Sequence, residues 1–173
     1  VGSICRFLWK GLTGSPPSTL EPLPGMAHRW EMSPDGLVYT FHLRQARWSD
    51  GRPVTAGDFL YAWRRVLNPE TAARYAGQLY YLRNAEAYNK KRISDPAQVG
   101  VAAPDDSTLV VTLEHPTPYF LDLLSFYTFM PVPRWTIEQH GDRWSRPGNV
   151  VGNGPFLLTD WKPANYFKFR MRP

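Results

Sequence analysis

Cysteine is almost absent from the chain, and long apolar runs are missing. The single cysteine among 173 residues, Cys5, excludes an internal disulfide framework and any zinc site built from several thiolates. The longest uninterrupted apolar run, Phe59 to Trp63, is far shorter than the about 20 residues that a membrane-spanning helix needs. The sequence therefore predicts neither a disulfide scaffold nor a spanning helix, and it leaves both the cytoplasm and the periplasm open.

The residue patterns of catalysis and metal binding are also missing. The four histidines, none at the spacing of metal ligands on one helix, are His28, His42, His115 and His140. Neither H-E-x-x-H nor G-x-S-x-G occurs, and the glycines at 152 and 154 complete no phosphate-binding loop. Asp105 and Asp106 stand in a Pro-Asp-Asp-Ser string, which favours a turn over an acid and base pair. We therefore predict that the protein is not an enzyme and uses no metal and no cofactor.

Basic residues exceed acidic ones without forming a clear binding face. The chain has 20 Lys and Arg residues against 15 Asp and Glu residues, a formal net charge of +5. They are scattered among acids, whereas a nucleic-acid-binding face would cluster them. The exceptions, which meet no acid after Asp160, are Lys162, Lys168, Arg170 and Arg172. We predict no nucleic-acid partner, while a solvated face and a modest preference for anionic surfaces both stay open.

The composition is that of an ordered chain made of many short elements. Apolar residues make up 43% and aromatic residues 14%, which is too much for a disordered protein. The 17 prolines are spread along the chain and indicate stiff corners between the elements. Tryptophan is abundant enough that we expect some of it to line a groove and most of it to pack. The seven tryptophans are Trp9, Trp30, Trp48, Trp63, Trp135, Trp144 and Trp161.

Hydrophobic periodicity predicts an α+β fold without regular βαβ alternation and without internal repeats. Alternation over Leu37 to Leu43 predicts a strand with one apolar face. Thr55 with Asp58 three residues later is typical of a helix start, and the apolar residues from Phe59 to Leu67 share one face of a helix that Asn68-Pro69 ends. The further predicted helices are 71–81, 84–91, 118–124 and 133–140, and the further predicted strands are 99–102, 108–113, 156–159 and 166–171. The stretches 15–18 and 22–25 predict an extended connection.

Five ordered blocks of the sequence carry a resemblance to a known family. Residues 30–69, WEMSPDGLVYTFHLRQARWSDGRPVTAGDFLYAWRRVLNP, closely resemble the signature of oligopeptide-binding proteins, the large extracytoplasmic solute-binding receptors of peptide ABC importers, in the peptide and nickel-binding class. The other blocks, which follow in the family's order, are TAARYAGQLYYLRNAEAYN, VGVAAPDDSTLVVTLEHPTPYFLDLL, FMPVPRWTIEQHGDRW and NVVGNGPFLLTDWKP. The resemblance covers residues 11 to about 172.

The resemblance implies an α+β fold of mixed sheets with short helices, as part of a periplasmic-binding-protein-like fold of two lobes. In that family an extended peptide lies between the lobes, and the larger peptide-binding class has an additional domain. The chain is similar to about the first third of such a receptor, holding the additional domain and part of lobe one. The expected divisions are 1–21 for the opening of lobe one, 22–125 for the additional domain and 126–173 for the return into lobe one.

The resemblance also implies which residues contact the ligand. Tyr75 stands where the family has a tyrosine facing the bound peptide, and Phe126 stands at another position facing the groove. Arg6 resembles a family arginine that precedes a Gly-Leu pair. The string Asn153, Gly154 and Pro155 is expected to be a hinge or a structural element.

The function that the resemblance implies is capture of oligopeptides and their delivery to an ABC permease in the membrane. The expected location is the periplasm or the outer face of the cytoplasmic membrane, and the expected state is a monomer. Dipeptides, nickel or murein peptides are alternative cargoes. A scaffold or interaction fragment without ligand binding of its own is a further alternative, and so is an enzyme acting on peptides or cell-wall fragments, although no acid, base and nucleophile stand together in the sequence.

Overall fold

A four-stranded antiparallel sheet with one long helix packed across it forms the centre of the fold. The structure, a computed structural model, describes residues 2–14 and 21–173. The strands are β1 (Thr13–Gly14), β2 (Leu23–Pro24), β3 (Ala27–Met32), β4 (Val38–Leu43), β5 (Val101–Asp105), β6 (Thr108–Thr112), β7 (Phe156–Lys162) and β8 (Tyr166–Met171). The α-helices are α1 (Gly2–Leu8), α2 (Ala56–Leu67), α3 (Ala85–Asn89), α4 (Phe120–Leu123) and α5 (Arg134–His140). Short 3₁₀ turns are Pro69–Thr71, Ala76–Leu79, Pro96–Gln98, Tyr127–Phe129 and Gly141–Arg143.

The central sheet has the strand order β3, β4, β6, β5, with every neighbouring pair antiparallel. Tyr39, Phe41 and Leu43 of β4 are buried, while the residues between them are partly exposed. This alternation is the one that the sequence predicts, because successive side chains of a strand point to opposite faces. The two smaller sheets are the pair β1 and β2 and the hairpin of β7 and β8.

Helix α2 covers the inner face of the sheet. Phe59, Trp63 and Leu67 are fully buried, and the helix packs against β5 and β6. Leu60 and Val66, which the periodicity places on the same apolar face, are only partly buried at its margins. The predicted helix and its end before Pro69 are therefore confirmed.

The start of α2 is fixed by one buried carboxylate. Asp58 Oδ2 accepts a hydrogen bond from the Thr55 main-chain N–H at 2.8 Å and another from the Trp48 indole Nε1–H at 3.0 Å. Burial raises the pKa of the Asp58 carboxyl, and these two hydrogen bonds oppose that shift. Asp58 is therefore both the cap of the helix and the partner of a tryptophan that is wholly inside the core.

The two adjacent carboxylates at the β5–β6 hairpin form a turn, as predicted. Asp105 Oδ1 accepts from the Ser107 main-chain N–H at 2.9 Å, and its Oδ2 accepts from the Thr108 hydroxyl at 3.1 Å. These hydrogen bonds lower the pKa of Asp105 below its usual range. β5 runs on through Asp105, so the connection is tighter than the predicted loop of residues 104–107.

One prediction of local structure is wrong, and one strand of the central sheet has no counterpart among the predicted elements. Residues 71–81 do not form a helix; Ala72 has a positive φ of 49°, which breaks the helical path, and only the 3₁₀ turn Ala76–Leu79 follows. Strand β3 was not predicted, because it is an edge strand whose side chains are mostly exposed and show no apolar alternation. Its position is set by pairing with β4, which places Trp30 opposite Phe41.

The other predicted elements are present with shifted ends. α3, α4 and α5 lie within the predicted helices, and β5, β6, β7 and β8 overlap the predicted strands. Of the predicted connection, residues 15–18 lie outside the described residues, while Leu23–Pro24 pairs with Thr13–Gly14. The α+β fold class is thus confirmed. The division of the chain at residues 21 and 125 stays a prediction.

Candidate functional site

The three residues that the resemblance assigns to ligand contact lie around one turn, Tyr127–Phe129. Tyr75 and Phe126 are exposed over 45% and 44% of their surface, and Arg6 is exposed on α1. α1 packs against the turn, and the Tyr75 ring packs against its first residue. We call the surface formed by Arg6, Tyr75, Phe126 and Tyr127 the aromatic patch.

The turn beneath the aromatic patch is anchored in the core by α2. The Trp63 indole Nε1–H donates to the Phe129 carbonyl oxygen at 2.9 Å, and the two rings meet edge to face with centroids 5.5 Å apart. The Phe129 N–H in turn donates to the Phe126 carbonyl oxygen at 3.0 Å. Trp63 and Phe129 are fully buried, so the turn is packed into the core on one side while Phe126 is exposed on the other.

Tyr75 reaches the aromatic patch from the irregular segment after α2. The left-handed Ala72 redirects the chain, and the Tyr75 carbonyl oxygen then accepts from the Gln78 N–H at 3.0 Å, which opens the next 3₁₀ turn. Its ring meets the Tyr127 ring edge-on, with centroids 5.9 Å apart and an interplanar angle of 85°. Such edge-to-face pairs are favourable and fix the ring orientation.

The Tyr127 phenol of the aromatic patch lies in a partly buried position beside the Tyr75 ring. Burial raises the pKa of Tyr127, and the neighbouring Tyr75 phenol raises it further. A tyrosine with a raised pKa keeps its proton at neutral pH, so it can donate to a carbonyl oxygen. The Thr128 hydroxyl beside this pair is buried and has no hydrogen-bond partner among the described residues. The patch thus combines apolar ring surface with polar groups that suit a peptide main chain.

Three small cavities open around the aromatic patch. The one beside Arg6 has a volume of about 180 Å³ and is lined also by Trp9, Ser125 and Met130. A second, of about 210 Å³, lies beside Tyr75. A third, of about 230 Å³, lies beside Phe126. Each has room for part of a side chain rather than for a whole ligand, so a ligand bound here would need further walls.

Cys5 lies on α1 next to the predicted ligand residue Arg6. Its side chain is partly buried. Burial raises the pKa of the thiol above its usual value. The thiolate is the reactive form of cysteine, so this residue behaves as a small packing side chain.

The predicted hinge or structural string lies against the end of α1. The Asn153 side chain accepts from the Lys10 N–H at 2.8 Å and donates to the Lys10 carbonyl oxygen at 3.1 Å. The Gly154 N–H donates to the Leu8 carbonyl oxygen at 2.8 Å, and a Cβ added at Gly152 would lie 2.1 Å from that same oxygen. We call residues 152–155 the junction segment. Its contacts support the structural role, and hinge motion stays a prediction.

The end of β8 completes the junction. The Pro155 carbonyl oxygen accepts from the Arg172 N–H at 2.8 Å. The Arg172 guanidinium also donates to the carbonyl oxygens of Gly154 at 3.3 Å and Arg47 at 3.0 Å. The junction segment therefore ties together chain segments that are more than 100 residues apart in sequence.

Tyr127 is the member of the aromatic patch that sequence reasoning did not identify. The only sequence signal for it is its place beside Phe126 in an aromatic string, and an aromatic residue in such a string is as often a core residue. Among the tryptophans, Trp9 lines the cavity beside Arg6, while Trp48 and Trp63 are buried in the core. The exposed rings of the patch are tyrosine and phenylalanine.

Residues 2–14 and 21–173 contain neither a cluster of metal-ligating side chains nor a membrane-spanning helix. In that part of the chain, no group of three or more His, Cys, Asp and Glu side chains is placed to hold a metal ion. Within the same residues, no helix combines the length and the apolar character that crossing a bilayer requires.

Comparison with known proteins gives a consistent family. Residues 21–173 match the family described as bacterial extracellular solute-binding proteins, family 5 Middle. The periplasmic oligopeptide-binding protein OppA of Escherichia coli is 46% identical over 164 residues, which cover 92% of this chain and 29% of that protein. The probable deoxycholate-binding periplasmic protein YgiS of Escherichia coli is also 46% identical, over 155 residues that cover 87% of this chain and 28% of that protein.

Solved structures agree with these relatives. The crystal structure of Haemophilus influenzae OppA in complex with the peptide RPPGFSPFR superimposes with a TM-score of 0.91 at 38% identity. The superposition covers 97% of this chain and 33% of that one. The fold is therefore that of part of a periplasmic binding protein, as predicted. The chain spans about a third or less of the length of the relatives it matches.

Proposed function

The chain belongs to the bacterial extracellular solute-binding proteins of family 5, and we propose that it forms part of a receptor that captures oligopeptides and delivers them to an ABC permease. The observation that carries this proposal is the similarity in fold to an oligopeptide-binding protein in complex with a nine-residue peptide. The aromatic patch supports it, since an exposed ring surface on a rigid turn is suited to hold a ligand.

Capture of this kind needs contacts and no chemical step. Hydrogen bonds to a peptide main chain give affinity for any sequence, because the main chain is common to all peptides. The Tyr75 and Tyr127 phenols can supply part of these bonds, and the rings and small cavities can take apolar side chains. Broad specificity for short peptides follows, and we propose that the protein has no catalytic activity.

The wider setting of the receptor is part of the same proposal. We place it in the periplasm or on the outer face of the cytoplasmic membrane, as a monomer that meets a membrane permease and binds no nucleic acid. Dipeptides, murein peptides and nickel stay as alternative cargoes. The remaining walls of the ligand site would come from residues beyond those of this chain, because its relatives are about three times as long.

A second candidate cargo is a bile acid. The relative named as a probable deoxycholate-binding protein has the same 46% identity as the oligopeptide-binding one, so identity does not separate the two. The rings of the aromatic patch would also suit a flat, apolar steroid. The peptide is favoured because Tyr75 and Tyr127, whose phenols can donate hydrogen bonds to main-chain carbonyl groups, lie side by side in the patch.

Calorimetry separates these functions. A receptor of the length of its relatives that contains this chain is titrated with mixed tri- to pentapeptides and, separately, with deoxycholate. We expect heat of binding with the peptides and about three- to tenfold weaker binding after Tyr75→Ala, the loss of one aromatic contact. Tyr166→Ala is the matched control, since Tyr166 is an exposed tyrosine on the β7–β8 hairpin. Heat with deoxycholate alone would assign the second cargo, and silence with both would refute capture of either.

The alternative of a scaffold fragment has its own test. The 173 residues by themselves are expected to bind peptides only weakly, since the aromatic patch is one wall of a site. Micromolar binding by the isolated chain would contradict this expectation and would place the whole ligand site within it.

A further inference from the structure

A second concave surface, distinct from the aromatic patch, lies along the outer face of α2. The groove has a volume of about 540 Å³. Three arginines from two helices line it: Arg64 and Arg65 of α2 and Arg134 of α5. The residues that complete its wall, none of them acidic, include Tyr61, Asn68 and Tyr88. We call it the arginine groove.

Two of the arginines have no acidic partner within the described residues. Every ion pair within 4.0 Å in that part of the chain involves other groups, so Arg64 and Arg65 carry their charges without a carboxylate. The Arg64 Nε atom is moreover buried and has no hydrogen-bond acceptor. A buried donor without an acceptor is unfavourable, and more so when it belongs to a charged group. The described residues thus supply neither a carboxylate for these two arginines nor an acceptor for the Arg64 Nε–H.

The position of Arg64 and Arg65 at the end of α2 explains their positive charge but not the Arg64 Nε–H, which is unpaired within the described residues. Arg64 and Arg65 lie in the last turn of α2, where the helix dipole favours positive charge. The dipole stabilises the charge, but it supplies no acceptor for the Nε–H of Arg64. The last carbonyl groups are also engaged, since the Asn68 N–H donates to the carbonyl oxygens of both arginines.

Arg134 completes the groove in a different way. Its Nε donates to the Glu138 carboxylate at 2.6 Å, and its guanidinium carbon lies 5.5 Å from the centre of the Tyr61 ring. Glu138 thus occupies one edge of this guanidinium, and its negative charge would repel an anion that approaches Arg134. The ring of Tyr61 keeps Arg134 over the groove.

We infer that the arginine groove binds an oxyanion, such as a phosphate or the carboxylate of a small acid. The fork of N–H donors on a guanidinium matches the oxygens of either group, and Asn68 adds an amide to the same surface. Arg65 lines both the arginine groove and the cavity beside Tyr75. An anion bound in the groove would therefore contact a residue that also borders the aromatic patch. This inference does not depend on the peptide as cargo.

The test is an NMR titration of the protein with sodium phosphate and, separately, with sodium glutarate. Ionic strength is held constant with chloride, because charged surfaces respond to salt in general. We expect a saturable shift of the Arg64 Nε–H signal and of amides at the end of α2, with one of the two probes or with both. Saturation with phosphate alone assigns a phosphate-type ligand, and saturation with glutarate alone assigns a carboxylate.

Three variants decide where the anion binds. Arg65→Gln is expected to weaken binding about tenfold, the loss of one charge-assisted hydrogen bond. Arg64→Lys keeps the charge but removes the buried Nε–H, and it should weaken binding by a similar factor without unfolding α2. Arg143→Gln removes an exposed charge outside the groove and should leave the affinity unchanged. Shifts that rise linearly with both probes, or an equal loss with Arg143→Gln, would overturn the inference.

Discussion

Replacing Asp58 separates its hydrogen-bonding role from its charge. The Oδ2 atom accepts from both Trp48 and Thr55, so the amide oxygen of Asp58→Asn can take both bonds without a charge. Asp58→Ala removes the single atom that accepts both bonds. The indole of Trp48 is wholly buried and would then meet no partner.

The size of each effect follows from these contacts. An unsatisfied buried donor costs about 1 to 3 kcal/mol, and the loss of a helix cap costs about 0.5 to 2 kcal/mol. Asp58→Ala should therefore lower the free energy of unfolding by about 2 to 4 kcal/mol at neutral pH. Asp58→Asn keeps the geometry and should change it by less than about 1 kcal/mol.

The effect of pH on this pair has a definite sign. Because burial raises the pKa of Asp58 in the folded protein, folding favours the protonated carboxyl. That contribution is fully present below about pH 4, the range of the unfolded carboxyl, and it is lost as pH rises through the raised pKa. Asp58→Asn has no such loss. The free energy of unfolding of Asp58→Asn should therefore rise relative to that of the wild type between about pH 4 and pH 7.

Urea unfolding followed by tryptophan fluorescence measures these differences. Wild type, Asp58→Asn and Asp58→Ala are compared at several values between about pH 4 and pH 7, so that carboxylates such as Asp105, whose pKa is lowered, contribute equally to all three. The reasoning would be refuted if the free energy of unfolding of Asp58→Asn, relative to that of the wild type, stayed constant or fell with rising pH. It would also be refuted by an alanine variant as stable as the asparagine one.

The junction segment gives two further predictions. Gly152→Ala should lower the free energy of unfolding by about 2 kcal/mol or more, because the new Cβ would clash with the Leu8 carbonyl oxygen. Thermal unfolding measures this change. Gly14→Ala is the control, since no atom lies within 4 Å of a Cβ placed there. Asn153→Ala should cost about 1 to 3 kcal/mol in urea unfolding, because both main-chain groups of Lys10 lose their partner, and a change within experimental error would contradict the proposed structural role.

The local sequence pattern was sufficient to predict an element that buries one of its faces. The helix from Ala56 to Leu67 is predictable from the capping pair Thr55 and Asp58 and from its stripe of apolar residues. Both patterns depend only on residues a few positions apart. Strand β4 is predictable from its strict alternation. These signals are short-range, so they survive without knowledge of the rest of the chain.

Local pattern failed where a distant partner decides the structure. Residues 71–81 contain good helix formers, but Leu79 and Leu82 are buried by tertiary packing while Tyr75 is exposed, which a helix through all three would not allow. Strand β3 carries polar residues that no propensity assigns to a strand. It forms because the edge of β4 offers a row of hydrogen-bonding groups to pair with.

The aromatic patch shows why a site can be named from family resemblance and yet not be derived from spacing. Its turn is held by the bond from Trp63 to the Phe129 carbonyl oxygen, a pair 66 residues apart. Any carbonyl oxygen can accept from an indole, so nothing in the residue types specifies this partner. Tyr127, which packs on Tyr75, is the first residue of the turn that this bond anchors at Phe129. If the anchor rather than the rings fixes the patch, Trp63→Phe should disorder Phe126 and Tyr127 together, and fluorine NMR of labelled aromatic residues would detect that loss of order.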